Sequence, residues 1–391
     1  MKKKLLFVIP SLDAGGAEKS LVNLLHLIDE NKYDIDLYLF HKQGLFLQQV
    51  PNHVNIIDIN EDFYFFNQEL KSSILSFIRK MRWDLVMSRL MFFFINRYNK
   101  RPNAEQYSWK FIAKSIKPLT KEYDVAIGYL EKSSNYFVVD KVKAKKKVAY
   151  IHSDYLELKI DRNFDQKYFK SIDIIVTISE YCKEVLDKLF LDKKIEVIYN
   201  ISPKALIEKM AQEEMDVNFR DNSILSIGRL HPQKGFDIAI ETATFLRDRN
   251  VDFTWYIIGS GYEKEKLEHL IKLNNLQNIF LLLGSKSNPY PFIKASKIYV
   301  QPSRYEGKSI ALDEAKILRK PILVTEFSTV NDQFTNGENA IFANINANDI
   351  ATKIELLLSD NALREKLIYN LQSDDSLEKN ILAKFYHVIN D

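Results

Sequence analysis

VQPSRYEGKSIALDEAK, residues 300–316, compresses a strand end, a tight loop and a helix start into one short run. Val300 closes the apolar triplet IYV, which has the composition of a buried strand. Pro302 and Gly307 mark a turn, and ALDEAKILRK beyond them has helical apolar spacing. A unit of this kind aims the first backbone N–H groups of its helix at the crevice past the strand, which makes an anion site. Glu306 stands in the loop and Glu314 in the helix, so the crevice suits a ligand that carries phosphate beside hydroxyls, such as a nucleotide sugar.

The same alternation of apolar run, small-residue loop and amphipathic stretch repeats along the chain. At 391 residues the sequence is long enough for two domains, each with its own core. A hydrophobic content of 46% and a charged content of 27% are those of an ordinary globular protein. Cys182 is the single cysteine, which excludes an internal disulfide and fits a reducing compartment. The opening MKKKLLFVIPSLDAGG imitates a signal peptide, but Pro10 and Asp13 interrupt it, and it reads better as a first strand. No apolar run reaches the ~18 residues of a membrane span. A cytoplasmic protein is expected.

Outward from residue 300, SILSIGRLHPQKGFDIAI (223–240) is a strand that ends in Gly228-Arg229, with Lys234-Gly235 opening an amphipathic helix. Two cations on a glycine-bearing loop suit a diphosphate, Arg by gripping two oxygens and Lys as a point charge. WYIIGSGYEKEKLEHL (255–270) and IFLLLGSKS (279–287) are further strands that run into glycine. In the first half, Gly15 and Gly16 of GGAE (15–18) fall where a strand hands over to a helix, and His152 stands at the tip of KKVAYIHSDY. Residues 69–121 differ in texture: two or three helices mix Leu, Met, Phe and Trp with regularly spaced bases. Between 71 and 121, twelve Lys and Arg face only Asp84 and Glu105. That pattern predicts an amphipathic basic segment for an anionic membrane surface, or an insertion packed on its domain. No nucleic-acid motif accompanies it, so no nucleic acid partner is expected.

The E-x7-E spacing of Glu306 and Glu314, with GRLHPQKG at 228–235 and GGAE at 15–18, resembles the retaining glycosyltransferases of family 4. The likeness covers nearly the whole chain and is most specific in the second half. It implies an α/β protein of GT-B architecture, two Rossmann-like domains facing across a cleft. An acceptor-binding domain would span 1–200, a nucleotide-sugar domain 201–375, and a helix at 376–391 would cross back to the first. By that resemblance Glu306 touches the transferred sugar, Glu314 binds the ribose, and Gly284 and Ser285 hold the base edge. His152 faces the sugar, Gly15 and Gly16 join the donor-binding set from the loop that lines the cleft opposite the donor, and Arg229 and Lys234 neutralise the leaving diphosphate with the N–H groups around 308–310. Gly307, Lys308, Ser309 and Ile310 complete the donor loop, although EGKSI stands where many relatives have E-G-F-G-aliphatic. The hinge likeness at Asn200 is partial, because Ile201-Ser202 replace the family's glycine.

The expected reaction is metal-independent transfer of a hexose from a nucleotide diphosphate, UDP in preference to GDP, with retained configuration. No cofactor is expected, and no His or Cys pair has metal-ligand spacing. The expected acceptor is a lipid-linked saccharide of capsule, exopolysaccharide or lipopolysaccharide assembly, met peripherally on the inner face of the cell membrane through 71–121. Two rivals stay open, a non-catalytic partner subunit and a nucleotide-sugar epimerase.

Overall fold

The computed structural model describes residues 2–99, 101–306, 308–371 and 375–390. The chain divides into two compact units: Met1–Asp13, Ala17–Tyr199 and Ile381–Asp391 form the first, and Ala14–Gly16 with Asn200–Asn380 the second.

The first unit is built on seven strands: β1 (Lys3–Ile9), β2 (Tyr33–Leu39), β3 (Val54–Ile57), β4 (Tyr123–Gly128), β5 (Ala144–Ile151), β6 (Ile174–Thr177) and β7 (Lys194–Val197). They form one parallel sheet in the order β3-β2-β1-β4-β5-β6-β7. Leu5, Leu6, Phe7, Val8 and Ile9 of β1 are all fully buried, because helices cover both faces of a parallel sheet. That is why the strand reads as a continuous apolar run. Winding outward from β1 in both directions leaves a switch point between β1 and β4. Ligands of open α/β sheets bind beyond the strand ends at such a point.

Between β3 and β4 the chain inserts four helices, Glu61–Phe66, Leu70–Arg79, Trp83–Tyr98 and Ala104–Ile112. Phe66, Phe77, Leu85 and Val86 give them a small core of their own. The helix Asp375–Asn390 ends the described chain. Its Phe385 is fully buried and stacks on Phe7 at 6.2 Å, Tyr386 stacks on Tyr33 at 5.5 Å, and Lys3 Nζ donates to the carbonyl of Ile389 at 2.6 Å.

The second unit repeats the plan with six strands: β8 (Ser223–Ile227), β9 (Thr254–Ile258), β10 (Phe280–Leu282), β11 (Ile298–Gln301), β12 (Ile322–Thr325) and β13 (Ile341–Ala343). Their order is β10-β9-β8-β11-β12-β13, again all parallel, with the switch point between β8 and β11. Alternate residues feed two cores: Ile224, Trp255, Ile257, Ile298 and Val300 enter one, Leu225, Tyr256, Ile258 and Tyr299 the other. The two-residue period of a strand sends successive side chains to opposite faces. The fold is α/β with two parallel sheets of Rossmann type.

Candidate active site

In the second unit, two loops leave the sheet on either side of the switch point. The loop after β8 runs through Gly228 and Arg229 to Lys234, and Gly235 then opens the helix Phe236–Asp248. Gly235 has φ +67°, and a Cβ there would lie 2.0 Å from the carbonyl oxygen of Pro302. Only glycine allows that approach, which presses the β8 loop onto the loop after β11.

The contact brings Lys234 to Glu306, 72 residues later, with Nζ 2.5 Å from Oε1. Both side chains are largely buried, at 18% and 6% exposure. The same Oε1 accepts from Ser303 Oγ at 2.6 Å and Gln301 Nε2 at 3.3 Å, and Gln301 is itself fixed by Tyr299 and Ser303. Thr329 Oγ1 donates to the Glu306 carbonyl at 3.0 Å. Arg304 forks onto Asp237 at 2.8 and 2.7 Å and also donates to the Pro232 carbonyl, so a second ion pair clamps the two loops. Arg304 draws the Asp237 carboxyl below the usual carboxylate range, outweighing the burial that would raise it.

The other residues expected at the donor site stand on loops and helix starts of the second unit. Arg229 is exposed on the loop after β8. Lys308 lies 3.8 Å from Asp313, and the backbone N–H of Ser309 donates to Gln333 Oε1 at 3.2 Å. Ile310 starts the helix Ile310–Ile317, and Ser309, at its N-cap, makes no side-chain cap bond. Glu314 is buried and accepts from Tyr290 OH at 2.9 Å, which with burial raises the tyrosine hydroxyl's pKa. Gly284 follows β10 at φ +71° with open space where a Cβ would stand, and its carbonyl accepts from Gly259 N–H. Ser285 Oγ bonds Ser260 Oγ at 2.8 Å. Gly307 lies outside the described residues.

Further expected residues follow the strands of the seven-stranded sheet. Gly15 and Gly16 make the turn after β1 that opens the helix Gly16–Leu27. His152 follows β5 directly, its ring 5.0 Å from Tyr129 and 5.6 Å from Tyr150. Glu131, just past β4, is a buried carboxyl that sequence reasoning missed. Burial pushes its pKa up against opposing hydrogen bonds from Ser153, the neighbour of His152. Its signal was its place in YDVAIGYLE, as the first charged residue beyond a buried strand. Gln301 and Ser303 were missed as well, since their value lies only in what they hold.

Among the described residues no three His, Cys, Asp or Glu side chains cluster as a metal site would require. No helix among them is long and apolar enough to cross a membrane.

Residues 211–374 match the family model of glycosyl transferases group 1. An uncharacterized glycosyltransferase of Methanocaldococcus jannaschii is 33% identical over 198 residues, 50% of this chain and 52% of that protein. The N-acetylgalactosamine-N,N'-diacetylbacillosaminyl-diphospho-undecaprenol 4-alpha-N-acetylgalactosaminyltransferase of Campylobacter jejuni is 30% identical over 175 residues, 44% of this chain and 47% of that protein. The matched stretches thus span about half the length of these curated relatives. The crystal structure of Staphylococcus aureus TarM with fondaparinux, alpha-GlcNAc-glycerol and UDP superposes with a TM-score of 0.68 at 16% identity, over 100% of both chains. On a GT-B-type fold shared over its full length, this chain carries in residues 211–374 the pattern of the group 1 glycosyl transferases.

Proposed function

We propose that this protein is a retaining glycosyltransferase that moves a hexose from a nucleotide diphosphate to a lipid-linked saccharide. The observation that carries the reading is the Lys234–Glu306 pair at the switch point of the second sheet. It sets a cation for phosphate against a carboxylate for sugar hydroxyls, on the two loops where a Rossmann-type sheet receives its ligand. The UDP in the TarM structure supports a uridine nucleotide. The diphospho-undecaprenol in the Campylobacter enzyme's name supports a polyprenyl-linked acceptor.

In this reading the bond from the anomeric carbon to the diphosphate oxygen breaks as the bond to the acceptor oxygen forms on the same face. The acceptor's proton passes to the departing phosphate. Arg229, Lys234 and the first N–H groups of the helix Ile310–Ile317 stabilise the charge that collects there, a preorganised electrostatic role. Glu306 orients the sugar, held by Ser303 and Gln301 when Lys234 turns to phosphate, and Glu314 takes the ribose. Gly284 and Ser285 take the base, and we assign His152 to the sugar. The two cations supply the charge a divalent ion would bring, so no metal is required. Such an acceptor puts the work at the inner face of a membrane.

Saturation-transfer NMR with UDP-, GDP- and dTDP-sugars tests the donor site. Selective binding of one nucleotide is expected, unchanged by EDTA and lost in Arg229→Ala/Lys234→Ala. Absence of binding to every nucleotide would sink the reading and favour a non-catalytic partner subunit.

A further inference from the structure

The insertion between β3 and β4 turns only part of its apolar surface inward. In the helix Trp83–Tyr98, Leu85, Val86 and Ser88 are buried, whereas Trp83, Met87, Met91, Phe94 and Tyr98 are exposed. At 3.6 residues per turn those five fall within an arc of about 80°. Leu75 and Met81, on and just after the preceding helix, are exposed as well, at 53% and 78%. The insertion's small core is built from Phe66, Phe77, Leu85 and Val86, and none of the exposed residues belongs to it. An exposed apolar stripe along one helix face marks a docking surface.

Charge identifies the partner. Lys80 pairs with Glu61 and Asp62, and Arg82 with Asp62 and Asp84. Lys121 pairs with Asp34 and Asp36. Those bases are committed within the fold, and Arg89 lies over the rings of Phe66 and Phe92. Lys71, Arg79, Arg97 and Arg101 make no salt bridge among the described residues. Arg97 lies beside the stripe on the same helix, and Arg101 lines an open groove of about 660 Å³ with Phe94, Tyr98, Asn99 and Tyr107. An apolar face with arginines toward one end suits acyl chains below anionic headgroups. A second copy of the chain on this face would set arginine against arginine.

We propose that Trp83, Met87, Met91, Phe94 and Tyr98 enter the outer part of an anionic phospholipid bilayer, with a headgroup phosphate in the Arg101 groove. The inference deepens the lipid-linked acceptor reading and rests on it for its purpose, not for its geometry. The helix Ala104–Ile112 contributes only Tyr107, at the groove, since its Gln106, Ser108 and Trp109 face inward.

Trp83 is its own reporter, because Trp109 and Trp255 are 1% and 0% exposed. With vesicles of phosphatidylcholine and phosphatidylglycerol, the emission is expected to shift to shorter wavelength and resist acrylamide quenching. Phosphatidylcholine alone should give at most a weak shift. Met87→Gln/Phe94→Gln should weaken binding at least tenfold, and Arg97→Gln/Arg101→Gln roughly fivefold per charge with loss of the salt dependence. No shift with anionic vesicles would overturn the proposal. So would a shift without vesicles that rises with protein concentration as the mass doubles, which would assign the face to a second copy. Nucleotide-sugar binding is measured on the same samples. Its absence would count against the transferase reading and leave the vesicle result to be read separately.

Discussion

Lys234 and Glu306 show what a single ion pair can do at the end of a sheet. Their charges meet at 2.5 Å in a largely buried place, where removing one partner leaves the other without compensation. In the proposed reading Lys234 lets go for phosphate to enter, while Glu306 keeps Ser303 and Gln301 as donors. Glu306→Gln keeps the shape but loses the charge that the proposed function assigns to sugar hydroxyls. The expected outcome is a fall in transfer rate of about 100-fold or more, with nucleotide affinity nearly unchanged. Single-turnover rates beside NMR-measured binding check this. A loss of affinity as large as the loss of rate would return Glu306 to a structural role.

Among the elements, β12 carries an anchor with a pH signature. Lys320, just before the strand, donates to the carbonyl of Ser296 at the end of the helix Tyr290–Ala295, at 2.7 Å. Burial, with Lys294 adding repulsion, lowers its pKa to about 8. The unfolded chain then binds the extra proton between about pH 8 and the ordinary value of 10.5, so stability rises with pH across that window. Lys320→Met should stabilise the second unit by about 2 kcal/mol at pH 7, allowing for part exposure, and lose its advantage above pH 10.5. Thermal unfolding at pH 7 and pH 10.5 reads the sign directly. The insertion helices make a different point at this scale. The sequence suggested two or three helices in 69–121, and the structure has three there, Leu70–Arg79, Trp83–Tyr98 and Ala104–Ile112. Which tryptophan faces water could not be read, because Trp109 is drawn inward by Asp140, far away in sequence, through a 2.8 Å bond.

Over the whole molecule, two units keep separate cores, and the chain's last helix supplies Phe385 to the first of them. Phe385→Ala should cost the first unit about 3–5 kcal/mol. Hydrogen exchange should quicken in β1 and β2 while β8 and β9 hold, and equal quickening in both sheets would contradict separate cores. By itself the sequence determined the βα alternation, the parallel sheets and the loops at 228–235 and 300–316. Each of these is local: buried strands are apolar runs, and ligand loops begin where glycine ends them. The formal charge of 71–121 overstates its free cations, because Glu61, Asp62, Asp34 and Asp36 lie outside that count and pair with bases within it. Glu131 stayed hidden for a similar reason, since burial and the bonds from Ser153 arise from packing. Only the tertiary structure placed β8 beside β11, although β9 and β10 come between them in sequence. That adjacency, sealed where Gly235 meets Pro302, brings Lys234 to Glu306 across 72 residues, because strand order in a wound sheet follows the crossovers and not the chain.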